Sequence, residues 1–348
     1  MSITFEAATP EQRAGLRAFL LETFQLPETA PFVDAGLLAW KYDAPRADWQ
    51  GPRSYVYRKD GEFAAHGCIW PVTFQTAAGP VSSMRIIDWA GGRIAPSAGA
   101  MLMKKMTSFT DTVLAVGGSE ETQKVAPAIG FRITGHCAQY AKVLRPWRQM
   151  QTYQAWNWKS PVRLVRNSVW SFGDGACDGW RWRAVHSISS EMTVAPESGY
   201  ISCKRTPGQL EYLLTCPSAR MSAFLLEQQG RPRGYGLLAH IAGQTRLADL
   251  QLAGPAGPAD WTAAYSLAIA AAKADPDACE LVTYACLPHR AEALTSCGFR
   301  LTHSEPVYLL DPRKRLVQDA ASPMLALDLQ MADGDEFFLY DPARPYWT

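Results

Sequence analysis

The sequence carries almost no net charge: 34 Lys and Arg stand against 33 Asp and Glu, a formal +1 over 348 residues. Such a balance gives no broad positive field of the kind that salt-dependent binding to nucleic acid or anionic lipid requires. No nucleic-acid partner is expected, and any basic character must be local. Long apolar runs are missing too, since none approaches the roughly 18 residues needed to span a bilayer. The start, MSITFEAATPEQR, lacks the basic-then-apolar pattern of a signal peptide. The expectation is therefore a cytoplasmic chain with no membrane insertion. The eight cysteines are scattered, with no CxxC and no paired Cys/His spacing. That excludes a zinc-ribbon type of site and favours reduced thiols acting as small hydrophobes. G-x-S-x-G, H-E-x-x-H and the P-loop pattern are absent, and with them the sequence signals of α/β-hydrolase, zincin and P-loop chemistry.

What is present is a globular composition, 47% hydrophobic and 19% charged, far from that of a disordered chain. The length exceeds the roughly 100 to 150 residues that one core usually serves, so two domains are expected. A weak internal repeat supports this. LLAWKYDAPR followed by SYVYRKDGEFAAHGCI in the first half matches QLEYLLTCPSAR followed by MSAFLLEQQGRPRGYGLL in the second. Trp40 pairs with Tyr212, Pro45 with Pro217, Gly61 with Gly230 and Gly67 with Gly236 at a nearly constant offset. Further on, an apolar strand carrying one acid recurs, around Asp88 and Asp249, and each half then reaches Gly-Phe-Arg, at Gly130 and Gly298.

The elements between these landmarks read alike. Thr9, Pro10 and Gln12 make a helix start with a capping box, continued through LRAFLLETF. RSYVYRK, GEFAAHGCIW and VSSMRIIDWA read as strands, with Asp60-Gly61 as a hairpin signal. AGAMLMKKMTSF has helical spacing of Leu102, Met103, Met106 and Phe109. TVLAVGG reads as a buried strand, EETQKVAPAIG as a short helix despite Pro127, and FRITGHCAQYAKVL as a closing strand pair. The second half repeats the order through the alanine-rich WTAAYSLAIAAAKA, the strand ELVTYACL and the helix HRAEALTSC. Residues 146–199, which include Trp147, Trp156, Trp158, Trp170, Trp180 and Trp182, form a connector and lead-in to the second unit. Its mixture of Trp and Arg is compatible with base stacking, and buried contact between domains is the favoured reading.

An acid-bearing fourth strand, a loop and helix, a fifth strand, a short helix and then Gly-Phe resembles the GNAT N-acetyltransferase fold over most of each half. The pieces that carry the resemblance are IIDWAGGRIAPSAGAMLMKKM with TVLAVGGSEETQKVAPAIGF, and LADLQLAGPAGPADWTAAYSLAIAAA with LVTYACLPHRAEALTSCGF. It implies an α/β (α+β) chain of two tandem GNAT-like units, 1–145 and 200–348, each a mixed central β-sheet flanked by helices. It also implies acetyl-CoA or another acyl-CoA between the splayed fourth and fifth strands. The pyrophosphate would sit on the small residues Ala95, Ser97, Ala98, Gly99 and Ala100, where backbone N–H groups and the helix N-terminus favour an anion. The family's Arg/Gln-x-x-Gly-x-Gly/Ala signature is not kept, because Ile94 or Ala95 stands in its first place. In the second unit Pro255 and Pro258 remove two donors, making GPAGPAD the poorer cradle.

Amine attack on a thioester needs a base, oxyanion donors and an acid for the thiolate. Asp88 and Asp249 are the candidate bases, since a lone acid in an apolar strand is costly unless paired or used. The family's tyrosine four residues before the Gly of Gly-Phe is replaced by Ala126 and Leu294, and Tyr284 is the candidate acid in the second unit. A Cys286–His289 pair lacks an orienting third group, and His66 and His136 read as structural. The chain is similar to tandem GNAT proteins of bacterial cell-surface polysaccharide biosynthesis, which implies an acyl-CoA-dependent N-acyltransferase acting on the amine of a small molecule or amino sugar. Two alternatives stand beside it: a Fem-type aminoacyl-tRNA-dependent transferase, and a catalytically inactive GNAT-fold ligand-binding protein.

Overall fold

The structure, a computed structural model, describes residues 3–76, 78–152, 158–192, 194, 200–316 and 324–348. Trp156 of the connector lies outside the described residues. In chain order the first elements are β1 (Ile3–Ala7), α1 (Arg13–Phe24), α2 (Ala35–Tyr42), β2 (Ser54–Lys59), β3 (Glu62–Thr76), β4 (Gly79–Gly91), α3 (Ala98–Met106), β5 (Thr112–Val116), α4 (Glu120–Ile129) and β6 (Arg132–Val143). There follow α5 (Pro146–Thr152), α6 (Ser160–Trp170), β7 (Trp180–Val185), β8 (Ile201–Cys203), α7 (Pro207–Leu214), β9 (Arg220–Gln228), β10 (Arg231–Ile241) and β11 (Gln244–Leu252). The chain ends with α8 (Pro258–Lys273), β12 (Glu280–Ala285), α9 (Pro288–Ser296), β13 (Arg300–Leu310) and β14 (Leu327–Asp328).

Local chemistry explains several boundaries. Gln12 turns its side chain back to the Thr9 amide (3.1 Å), and a 3₁₀ turn at Pro10–Gln12 leads into α1. Thr206 and Gln209 repeat that device at α7. Ser119 caps α4, and Gly130 ends it in the left-handed region (φ 109°) that glycine adopts without strain. FRITGHCAQYAKVL is one continuous strand, β6, and not a strand pair: it holds no turn residue other than Gly135.

The chain forms two compact units. The first comprises Met1–Gly135 with Pro306–Leu325, the second His136–Glu305 with Ala326–Thr348. The first unit's strands run in the order β1-β2-β3-β4-β5 and then the end of β13. All neighbours are antiparallel except β4 and β5. The second unit has the order β6-β12-β11-β10-β9-β7 and the same pattern, with β11 and β12 as the parallel pair. Each unit thus takes its last strand from the other half of the sequence: Val307–Leu310 pairs with β5, and residues 138–143 of β6 pair with β12. The units are not contiguous halves, because the strand after each Gly-Phe runs on into the other unit.

The first core gathers Met84, Leu102, Met103, Met106, Val113 and Tyr308 around α3. The second surrounds α8, where Trp261, Tyr265, Leu267 and Ile269 meet Leu250, Leu281 and Phe299. Each such large side chain contributes about 1.5–3 kcal/mol by leaving water. Trp180 and Trp182 pack on this second core. Trp147, on α5, and Trp158, just before α6, both expected to be buried, are exposed.

Candidate functional site

In the first unit β4 and β5 pair at only three positions, Ser83–Thr112, Met84–Val113 and Arg85–Leu114. Beyond them β4 stays with β3 and β5 stays with β13, so the two strands diverge into a wedge. The second unit does the same: β11 and β12 pair at Gln244–Glu280, Thr245–Leu281 and Arg246–Val282, then part.

A β-bulge sits beside each wedge. The β3–β4 register shifts between His66 and Cys68, which places Asp88 and Trp89 opposite the single residue Gly67. Asp88 takes φ 52°, a left-handed conformation that Asp tolerates better than most residues. A bulge removes a residue from the ladder, and His66 restores the lost bond: its Nδ1–H donates to the Asp88 carbonyl (2.9 Å) while Nε2 accepts from Ser54 Oγ (3.0 Å). Burial pushes the His66 imidazole down from 6.5 to about 4, so the ring stays neutral and the carbonyl fixes its tautomer. The second bulge leaves Ala248 as the extra residue, next to Asp249.

Both acids face inward and are held by a cation and a tyrosine. Asp88 Oδ2 accepts from Lys41 Nζ (2.6 Å) and from Tyr42 Oη (2.6 Å). Lys41 and Asp88 have no exposed side-chain surface, and Asp88 Oδ1 has no hydrogen-bond partner among the described residues. Burial, with the carboxylate beside it, raises the Tyr42 hydroxyl well above the usual tyrosine range. Lys41 and Tyr42 end α2; the carbonyls of Trp40 and Lys41 in its last turn, and that of Ala44 just beyond it, accept from the Arg53 guanidinium. Tyr42 also lines a recess of about 470 Å³ with Asp43, Arg46, Trp49, Arg53 and Ser54. Asp249 accepts from Arg205 Nε (2.9 Å) and Tyr235 Oη (2.7 Å), and Arg205 also meets Asp333 Oδ1 at 2.7 Å. Burial, with Asp249 beside it, likewise raises the Tyr235 hydroxyl.

Sequence reasoning singled out the two acids but missed Lys41, Tyr42, Arg205 and Tyr235. A lysine inside the apolar stretch LLAWKY was the available signal for Lys41. The second triad uses other positions, Arg205 before α7 and Tyr235 on β10, so aligning the repeats does not reveal it.

The loop after β4 leads to α3. Ala95 and Ala98 are buried, Ser97 is exposed, and Ala98 N bonds to the Ala95 carbonyl. Gly99 lies against β4: a Cβ there would sit 3.3 Å from Gly91 Cα, and its carbonyl accepts from Trp89 Nε1 (2.9 Å). Gly99 thus serves close packing; the Ala98 amide is taken by the Ala95 carbonyl, while those of Gly99 and Ala100 in the first turn have no intrahelical acceptor. At the matching place in the second unit Asp260 puts a carboxylate on the helix start, bonded to the Gly257 amide (2.9 Å).

The second wedge is crossed by residues 327–348. Leu329 carbonyl accepts from Cys286 Sγ, Glu336 carbonyl from Arg246, and Trp347 stacks on Tyr284 (ring centroids 6.3 Å). Asp328 pairs with buried Arg290 (2.5 Å), and burial raises its carboxyl to about 6. Tyr284, the candidate acid, therefore lies under Trp347. The His289 ring sits among Trp261 and Tyr200. Asp174 of the GDGACDG turn pairs with Lys142 and Lys273, and no cluster able to hold a metal ion occurs among the described residues.

No protein-family profile and no curated protein sequence matches the chain. Solved structures do. A GCN5-related N-acetyltransferase from Anabaena variabilis is 12% identical with a TM-score of 0.58, over 89% of this chain and 73% of that one. A tandem GNAT protein from the clavulanic acid biosynthesis pathway is 11% identical with a TM-score of 0.54, over 89% and 98%. Saccharomyces cerevisiae N-myristoyltransferase with bound myristoyl-CoA is 13% identical with a TM-score of 0.58, over 89% and 83%. At these identities the likeness establishes the fold, and the chain is a mixed α/β protein built from two GNAT-type units.

Proposed function

We propose that the chain is an acyl-CoA-dependent N-acyltransferase that holds its cofactor in the wedge of the first unit. The observation that carries this reading is the divergence of β4 from β5 beside a bulge, followed by the uncapped start of α3. The wedge offers an acyl chain strand edges that make no ladder bonds to each other. The bulge supplies backbone groups of the kind a thioester carbonyl needs as its charge develops, and the first turn of α3 offers amides to a pyrophosphate. The second wedge is crossed by residues 327–348, and its helix start bears Asp260, which repels an anion.

An amine entering the recess would meet Tyr42. As its nitrogen bonds to the thioester carbon, its proton passes to Tyr42 Oη while Tyr42 hands its own to Asp88; the C–S bond breaks with its electron pair on sulfur, and CoA leaves as the thiolate that water protonates. Acetyl is the first acyl group to test, and a small-molecule amine or amino sugar the first acceptor class. Thiol release from acetyl-CoA over an amine panel tests the reading. Tyr42→Phe should lower turnover by about 10²–10⁴-fold with cofactor affinity unchanged, and Asp88→Asn should do likewise. Equal turnover in the variants would remove this proton route.

The pairing of each acid with a buried cation favours one second reading, a GNAT-fold protein that binds an acyl-CoA without turning it over. Cofactor binding with no thiol release for any amine would select it.

A further inference from the structure

In the second unit, β9 opens with Arg220-Met221-Ser222, and strand alternation puts Arg220 and Ser222 on one face of the sheet. His240, near the end of β10, stands opposite Arg220 in the ladder and diagonal to Ser222. Its Nε2 is 3.0 Å from Ser222 Oγ, and its Nδ1 is 3.0 Å from Thr245 Oγ1 and 3.1 Å from Asp275 Oδ2. Asp275, just beyond α8, accepts from the Asp277 amide on Oδ1 (3.0 Å) and from Arg220 Nη2 on Oδ2 (2.5 Å). A carboxylate only accepts, so its place beside Nδ1 keeps the ring proton there and leaves Nε2 to accept from the serine hydroxyl. Ser222, His240 and Asp275 are half-buried and Arg220 is exposed, so the group can be reached from solvent.

Burial, with the Arg220 guanidinium nearby, lowers the imidazole from 6.5 to about 4, so at neutral pH it is the unprotonated base that a serine nucleophile requires. β7 ends at Val185 opposite Ala223, and residues 220–222 have no ladder partner on that side among the described residues. Backbone N–H groups of this open edge, and the exposed Arg220 guanidinium, are donors within reach of a developing oxyanion. We propose that Ser222 and His240 form a second catalytic centre, a serine esterase site for activated esters, with Asp275 as its positioning residue. Such an arrangement is defined by geometry and roles and not by a sequence motif. His240 Nε2 takes the Ser222 Oγ proton as Oγ bonds to the ester carbonyl carbon; the C–O bond to the alcohol then breaks with its electron pair on oxygen, which takes the proton from Nε2. Water attacks the acyl-serine by the same route, releasing the carboxylic acid and restoring the hydroxyl. A base this weak suits esters whose leaving oxygen needs little protonation.

Reaction of the full chain with an alkyl fluorophosphonate, which bonds to an activated serine and releases fluoride, tests the proposal beside p-nitrophenol release from p-nitrophenyl acetate. Peptide mass mapping is expected to place the phosphonyl group on Ser222, and Ser222→Ala to lose both the label and the release. His240→Gln should slow both at least about 10²-fold. In nitrogen NMR of histidine-labelled protein the His240 ring should carry its proton on Nδ1, and Asp275→Asn should move it towards Nε2. Unchanged melting temperatures will show that the variants fold. No label on Ser222, a label that forms equally fast in His240→Gln, or ester hydrolysis that Ser222→Ala leaves intact would overturn the proposal. An unmoved tautomer in Asp275→Asn would overturn the part given to Asp275.

Discussion

Lys41 and Asp88 are wholly shielded from water, so neither can be removed without stranding the other. Lys41→Met should cost about 3–5 kcal/mol of stability by leaving an uncompensated buried carboxylate. Lys41→Met/Asp88→Asn should cost less than the sum of its parts, as urea unfolding of the four proteins will show. His66 gives a pH signature. Its imidazole falls from 6.5 to about 4 on folding, so between those values the unfolded chain binds a proton that the folded one does not. The contribution is complete above about pH 6.5 and is lost as pH falls through about 4, amounting to roughly 3 kcal/mol. His240, also lowered to about 4 by burial, acts in the same direction. His66→Gln should lower the stability–pH slope over this window, in which Asp328, raised to about 6 by burial, acts the other way, read from denaturant midpoints. At this scale the sequence marked Asp88 and Asp249 as unusual, because an acid in an apolar strand stands out. Their partners were hidden because each lies tens of residues away and belongs to an element whose rotation only packing decides.

The wedge, the bulge and the helix start act as elements. Both halves read correctly as strand, helix, strand, helix, strand because capping residues and hydrophobic period report locally, as at Thr9 and along Leu102, Met103 and Met106. The divergence of β4 and β5 was not legible, since nothing in TVLAVGG says where its pairing ends. Gly99, read from the sequence as part of a phosphate turn, lies against Gly91 and Trp89. Gly99→Ala should therefore lower stability by about 1–3 kcal/mol through overpacking, seen as a reduced melting temperature. Ala100 differs in being partly exposed at the third helical position, the place Asp260 holds in α8. Ala100→Asp should leave the fold intact, because an acid there suits the helix dipole, and should still repel an anion bound at the same spot.

Over the whole molecule the exchange of closing strands matters most. The repeat announced two units, yet it could not show that Val307–Leu310 completes the first and residues 138–143 the second, because GFRIT and GFRLT look alike in either place. Neither 1–145 nor 146–348 expressed alone should give a folded monomer, since each lacks a strand its sheet needs, while co-expression should restore a soluble pair. A cooperative unfolding transition from either half alone would contradict this. The central claim, an acyl-CoA site in the first unit, is tested most directly by calorimetric titration of the full chain with acetyl-CoA and with CoA, beside Ala100→Asp and Asp260→Ala. The account predicts binding of both ligands, weakened about tenfold in Ala100→Asp and unchanged in Asp260→Ala. Absence of binding, or binding that ignores Ala100→Asp and responds to Asp260→Ala, would contradict it.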